Sequence, residues 1–347
     1  MNTLNKIKQL SIISLLLLGA CGRDEEPIPV IPPSDGSTLT LQGGEGGNDA
    51  INAVYVDLSS DTQESVKRDS WTLGFYAGDE FRVILNNQLG ISALATGETD
   101  LERVTPSSVN IDELAYNYTP DKLALYDDTL GRLQHTVIEE IRAESSENQV
   151  YLVNTVHGMS IDVEHVWKIK VDRTDDGGYQ LQYGKLSDSE TQQLSIPKNA
   201  DYNFQFVSLT AGQVNVEPVK SEWDFVWTKS MLYTSMGAAA IPYFYSDLVF
   251  INHLAGVSAA EVITGGDVPT YEDFQESDLA NVTFSNSRNV ISSHWRVTTN
   301  AGVLKDRFYL IRDQAGNVYK LKFLVMGVED SGQRGYPEIE YKLIKNN

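Results

Sequence analysis

Val56-Asp57-Leu58-Ser59 followed by Val66 to Phe75, and Val207-Ser208-Leu209-Thr210 followed by Val219 to Trp227, carry one pattern written twice. In each copy a Val-x-Leu segment leads through a variable stretch to a tryptophan that opens an apolar strand. These strands are Trp71-Thr72-Leu73-Gly74-Phe75 and Trp223-Asp224-Phe225-Val226-Trp227. A pattern that recurs only twice describes a duplicated domain, not a solenoid, whose repeats must stack several deep to bury a core. Each half closes on a hairpin, with Tyr179 and Tyr319 read as equivalent, and the halves meet near Leu194 to Tyr202. The expected units are therefore residues 51–195 and 196–347.

Both units read as all-β. Val166 to Val171 alternates apolar and polar side chains. Asp175-Asp176-Gly177-Gly178 then supplies the turn, and Tyr179 to Tyr183 returns as a second strand. Arg307 to Ile311, the turn Asp313 to Asn317, and Tyr319 to Phe323 repeat the arrangement, with a last strand over Ile339 to Leu343. Phe81 to Leu85 is a further short strand. Helix signals are few. Leu130, Leu133, Val137 and Ile141 fit one helical stripe, and Tyr271 to Leu279 predicts a turn or two.

The amino terminus carries a different message. Lys6 and Lys8 precede the apolar stretch Leu10 to Leu18, and small residues lead to Cys21, which is the layout of a secretory signal over residues 1–20. The apolar run is too short for a bilayer, which takes roughly 20 residues. Leu18-Gly19-Ala20-Cys21 resembles a bacterial lipobox, in which the cysteine becomes the acylated first residue of the mature chain. Several acyl chains, palmitate among them, anchor stably where one is marginal. Gly22-Arg23-Asp24-Glu25-Glu26 resembles the acidic export signal of Bacteroidetes lipoproteins, implying the outer face of the outer membrane. Residues 21–50 then read as a tether, proline-stiffened at first and glycine-loosened later. The membrane contact expected is the lipid alone.

Cys21 is the only cysteine, so no disulfide, thiolate nucleophile or cysteine-held metal remains for the folded body. The formal net charge of −21 argues against nucleic acid, whose phosphates need Lys and Arg. The sequence contains no Gly-x-Ser-x-Gly elbow, His-Glu-x-x-His pair, phosphate-cradling loop or EF-hand loop, and its five histidines can hardly supply a catalytic set. It reads as a binding protein, not an enzyme.

The Trp-Asp strand opening at Trp223, the Val207 to Gly212 segment before it, and the closing run from Trp295 through Phe323 resemble the HmuY family of Bacteroidetes lipoproteins. That resemblance implies two tandem all-β HmuY-like units, haem as the bound cofactor, paired axial His or Met ligands, and delivery to a TonB-dependent outer-membrane receptor. It places one ligand just after an aromatic-led strand, where the first half has His157-Gly158-Met159 behind Tyr151-Leu152-Val153. The matching stretch of the second half, Thr298 to Gly302, has neither His nor Met. The other ligand belongs mid-domain, where the first half offers His135 and the second nothing closer than His253.

Read on their own, these residues leave two possibilities open. If 157–171 were extended, His157, Met159, Ile161, Val163, His165 and Trp167 would share one face, either a haem-accepting wall or a buried sheet face. Such a strand would exceed the usual length, so a break near Gly158 is expected, leaving His157 and Met159 on a rim. His135 falls off its helical stripe toward solvent, His294 is expected to be exposed, and Tyr243-Phe244-Tyr245 reads as core or strand edge. The alternative to haem is a surface interaction lipoprotein that binds a protein or glycan through loops.

Overall fold

The computed structural model describes residues 32–347; the signal segment and Cys21 lie outside the described residues. Four large antiparallel sheets and one two-stranded ribbon make up the fold. One five-stranded sheet runs in the order Gln192–Ile196, Tyr179–Lys185, Val166–Arg173, Val150–Asn154, Ser92–Ala95. It packs on a four-stranded sheet of Gly212–Val214, Phe204–Ser208, Leu73–Tyr76 and Val83–Leu85. The other five-stranded sheet runs Gly36–Thr40, Glu338–Lys345, Val318–Val325, Arg307–Arg312, Ser258–Ile263. Its partner contains Ala239–Ile251, Phe225–Met236, Asn52–Asp57 and Thr62–Lys67.

The two four-stranded sheets also pack on each other. Alternation along their strands makes this possible. On Asn52–Asp57, Val54 and Val56 face one core, while Ala53 and Tyr55 face the layer between the sheets. Phe225 and Trp227 divide from Val226 in the same way. Strands buried on both faces read as continuous apolar runs. Each buried aromatic removes roughly 150–250 Å² from water, about 4–6 kcal/mol at the usual coefficient.

The halves interleave; they do not stand in tandem. Asn52–Asp57 of the first half pairs with Phe225–Met236 of the second, and Phe204–Ser208 of the second pairs with Leu73–Tyr76 of the first. The same bonds hold both exchanges. Thr72 N–H donates to Val207 O and Asp224 N–H to Val56 O, at 2.8 and 2.7 Å. Asn86 Nδ2 donates to the carbonyls of Arg68 and Trp71, and Asn252 Nδ2 to those of Lys220 and Trp223. The turns that follow share two bonds, Leu89 and Ile91 N–H to Asn86 O and Ala255 and Val257 N–H to Asn252 O, and hold Gly90 and Gly256 both at positive φ.

Sheet order corrects the equivalence of Tyr179 with Tyr319. Val150–Asn154 occupies the place of Arg307–Arg312, and Val166–Arg173 that of Val318–Val325. Trp167-Lys168-Ile169-Lys170-Val171 thus matches Tyr319-Lys320-Leu321-Lys322-Phe323. Buried Lys168 and Lys320 both reach loop carbonyls, of Val104 at 3.1 Å and of Phe274 at 2.9 Å. The hairpin turns misled because their glycines report a reversal of direction, not a sheet position. The last place is filled by Gln192–Ile196 in one sheet and by Gly36–Thr40 in the other. Part of the stretch read as tether is therefore a strand, paired with Glu338–Lys345 and followed by fully buried Leu41.

The helical stripe over Leu130 to Ile141 does not form; only a 3₁₀ turn, Leu133–His135, appears there. Nearby carboxylates claim the amides a helix would need. Asp127 accepts from Val137 N–H and Leu85 N–H, and Asp128 accepts from Arg132 N–H. The turn expected over Tyr271 to Leu279 is the 3₁₀ helix Glu276–Asn281.

Three carboxyls lie deep in the layers. Burial raises Asp127 to about 7, Glu217 to about 8 and Asp224 to about 8, the last also repelled by Asp57 and Asp313. Their folded forms hold protons that the unfolded chain releases near its ordinary carboxylate range, so this stability is present in acid and lost as pH rises toward about 8. His253, which burial lowers to about 4, acts oppositely, but only below the unperturbed histidine value of about 6.5. Thermal unfolding from about pH 6.5 to about pH 9 should therefore show falling stability, on the order of 1 kcal/mol per carboxyl. Asp224→Asn, which keeps an acceptor for Leu58 N–H, should flatten the slope; an unchanged slope would remove Asp224 from this account.

Candidate functional site

The strands Phe225–Met236 and Ala239–Ile251 form a hairpin far longer than the equivalent Leu73–Tyr76 and Val83–Leu85. Its outer part has no counterpart in the first half, and first-half loops cover its edge. Met231 faces Phe244 across the hairpin, and both pack with Tyr116, Leu125 and Tyr126. Tyr116 O–H donates to Pro242 O at 3.1 Å, and Tyr116 N–H to Gly158 O at 2.8 Å. One tyrosine thus ties the His157 loop to the hairpin edge.

His157 sits where these elements meet. Its ring lies 4.2 Å from Tyr116 and 4.6 Å from Phe244, edge-on to the latter. Nδ1 is buried against the Gly90 turn and makes no hydrogen bond of regular geometry, while the residue as a whole is half-buried. Burial lowers its pKa, with the Gly90 backbone opposing and Lys229 adding to the shift, so the imidazole is neutral at pH 7. A neutral imidazole is the form that ligates metals.

The expected break in 157–171 is present: the strand begins at Val166, and the 3₁₀ turn Val163–His165 precedes it. Met159 projects from the His157 loop at 65% exposure, and Val156 is exposed beside it. Tyr118 and Tyr243, 6.3 Å apart, are 42% and 43% exposed, and Tyr245 stacks edge-on to Tyr243. The result is an apolar, aromatic surface around one half-buried imidazole. Its residue types suit the flat face and the axial donor that a haem requires.

His135 stands elsewhere, exposed on the Leu133–His135 turn and outside this cluster. His165 and His294 are exposed, and His253 lines a separate central cavity. The second-half counterpart of the His157 loop is the turn Asp313 to Asn317, which also lacks His and Met. Sequence reasoning did not assign Tyr116, Tyr118 or Phe244 to the site. The available signal was the Tyr243-Phe244-Tyr245 triplet, a strand edge that also forms a site wall.

The fold is all-β, built of antiparallel sheets. The family model described as HmuY protein matches residues 49–341, and the chain belongs to the HmuY family. Comparison with curated proteins and with solved structures returns no match.

Proposed function

We propose that this protein captures haem at the cell surface, held to the outer membrane through lipid on Cys21, and passes it to a TonB-dependent receptor. The observation that carries the reading is His157, a neutral imidazole wedged between Tyr116 and Phe244 beside an exposed apolar surface, in a chain of the HmuY family. Haem, when bound, supplies an iron that takes axial donors from the protein. His157 is the first such donor and Met159 the candidate for the opposite position; His135, outside the cluster, serves only if its segment moves to face His157. The Tyr116 anchor holds the loop, and the exposed tyrosines offer the macrocycle a wall.

Haemin titrated into the purified protein should give a saturable Soret shift, and His157→Ala should lose the low-spin spectrum. Met159→Ala and His135→Ala then identify the second donor by which one converts the spectrum to high spin. A wild-type protein that produces no shift overturns the haem reading. The second reading, a surface protein that binds a protein or glycan, is favoured by the position of His135 outside the cluster and by the open faces of Tyr118 and Tyr243. Tyrosine faces of this kind also stack on sugars.

A further inference from the structure

Between the two four-stranded sheets, where the halves exchange strands, lies a cavity of about 150 Å³. Equivalent residues of both halves line it: Trp71 with Trp223, Phe206 with Tyr55, Asn87 with His253. An apolar cavity of this size accommodates a single six-membered ring. It is too small for a macrocycle and is separate from the His157 surface.

One wall departs from the symmetry. Where Leu85 N–H of the first half donates to the Asp127 carboxylate, Ile251 N–H of the second donates to the Arg288 carbonyl. This puts a guanidinium in the cavity wall. Its centre lies 4.3 Å from the Phe250 ring centroid, and its only hydrogen bond among the described residues runs from Nε to Asn289 Oδ1 at 3.4 Å. Nη1 and Nη2 have no protein partner there, and the residue is half-buried, so these nitrogens are left to solvent or a ligand. Asp128 and Asp127 act on the guanidinium through charge alone, Asp128 being already taken by Arg132 and Asp127 by two backbone amides. Burial lowers Arg288 to about 10, which leaves it charged at pH 7. In the same lining Trp71 Nε1, Trp223 Nε1 and Asn87 Oδ1 are buried without partners.

We propose that this cavity binds a small carboxylate with a ring-sized apolar body, its carboxylate on Arg288 and its body between Trp71 and Trp223. An unpaired guanidinium fits a carboxylate as a two-pronged donor. The aromatic walls fit a compact ring, and the buried indole N–H groups of Trp71 and Trp223 are without partners among the described residues.

Benzoate and its neutral isostere benzamide test this, with tryptophan emission and thermal midpoint as readouts. Benzoate should change both saturably and bind at least about tenfold more tightly than benzamide, as a charge-assisted pair requires. Arg288→Met should erase that preference, and Leu133→Trp, which fills the cavity from another wall, should abolish both responses. Haemin titration of Arg288→Met should match wild type, because the two sites share no residue. A wild-type protein that ignores benzoate, or binds benzamide equally well, overturns the proposal without any variant. A preference retained in Arg288→Met overturns it as well.

Discussion

Trp223→Ala should cost about 3–5 kcal/mol of stability, and Trp71→Ala a comparable amount. Both rings are buried, at 8% and 6% exposure, in the layer between the central sheets. Each packs edge-on against an aromatic of the exchanged strand, Trp223 on Tyr55 at 5.1 Å and Trp71 on Phe206 at 4.8 Å. Truncation loses the apolar burial, the aromatic pair and the fit between the halves, and it enlarges a cavity that already exists. Because both rings line that cavity, the double variant should fall short of the sum of the singles by roughly 0.5–3 kcal/mol. Urea denaturation of the four proteins measures this. Either single variant costing less than about 1 kcal/mol would show that its ring does not bear on the core.

Gly90→Ala should be markedly worse than Gly256→Ala, although the two glycines occupy equivalent turns. Both have left-handed φ, 67° and 93°, where a side chain costs roughly 1–2 kcal/mol. At Gly256 that is the whole cost, since a methyl group there meets nothing within 4 Å. At Gly90 the methyl group would overlap the Phe244 ring and come within 2.8 Å of His157 Nδ1. Overpacking adds about 1–3 kcal/mol, and relief requires the imidazole and the hairpin edge to part. Gly90→Ala should therefore weaken haemin binding, while Gly256→Ala leaves it at the wild-type level. Equal effects on stability would mean that the Gly90 turn is not packed against the site.

The legible parts of this chain were local. Alternation, turn dipeptides and apolar runs placed the strands Val166–Arg173, Tyr179–Lys185, Arg307–Arg312 and Val318–Val325 within a residue or two. Trp71 and Trp223, which open the apolar strands of the repeated pattern, are both buried. The stripe over Leu130 to Ile141 failed because helical spacing says nothing about carboxylates that take the amides first. The hairpin equivalence failed because one turn motif can sit at different positions across a sheet. The resemblance pointed to His157 as a proposed ligand, but Phe244, which packs on its ring, lies 87 residues further along the chain and only packing brings it close.

By itself the sequence determined the all-β class and the membership of the HmuY family, because periodicity and short motifs are written in neighbouring residues. Tertiary structure alone decided that the halves exchange strands and that Gly36–Thr40 completes the second five-stranded sheet. It also decided that His157 is held by the hairpin of the other half, and that Arg288 faces a cavity shared by both. Those outcomes depend on which edges and faces meet, and they are set by burial summed over residues far apart in the chain.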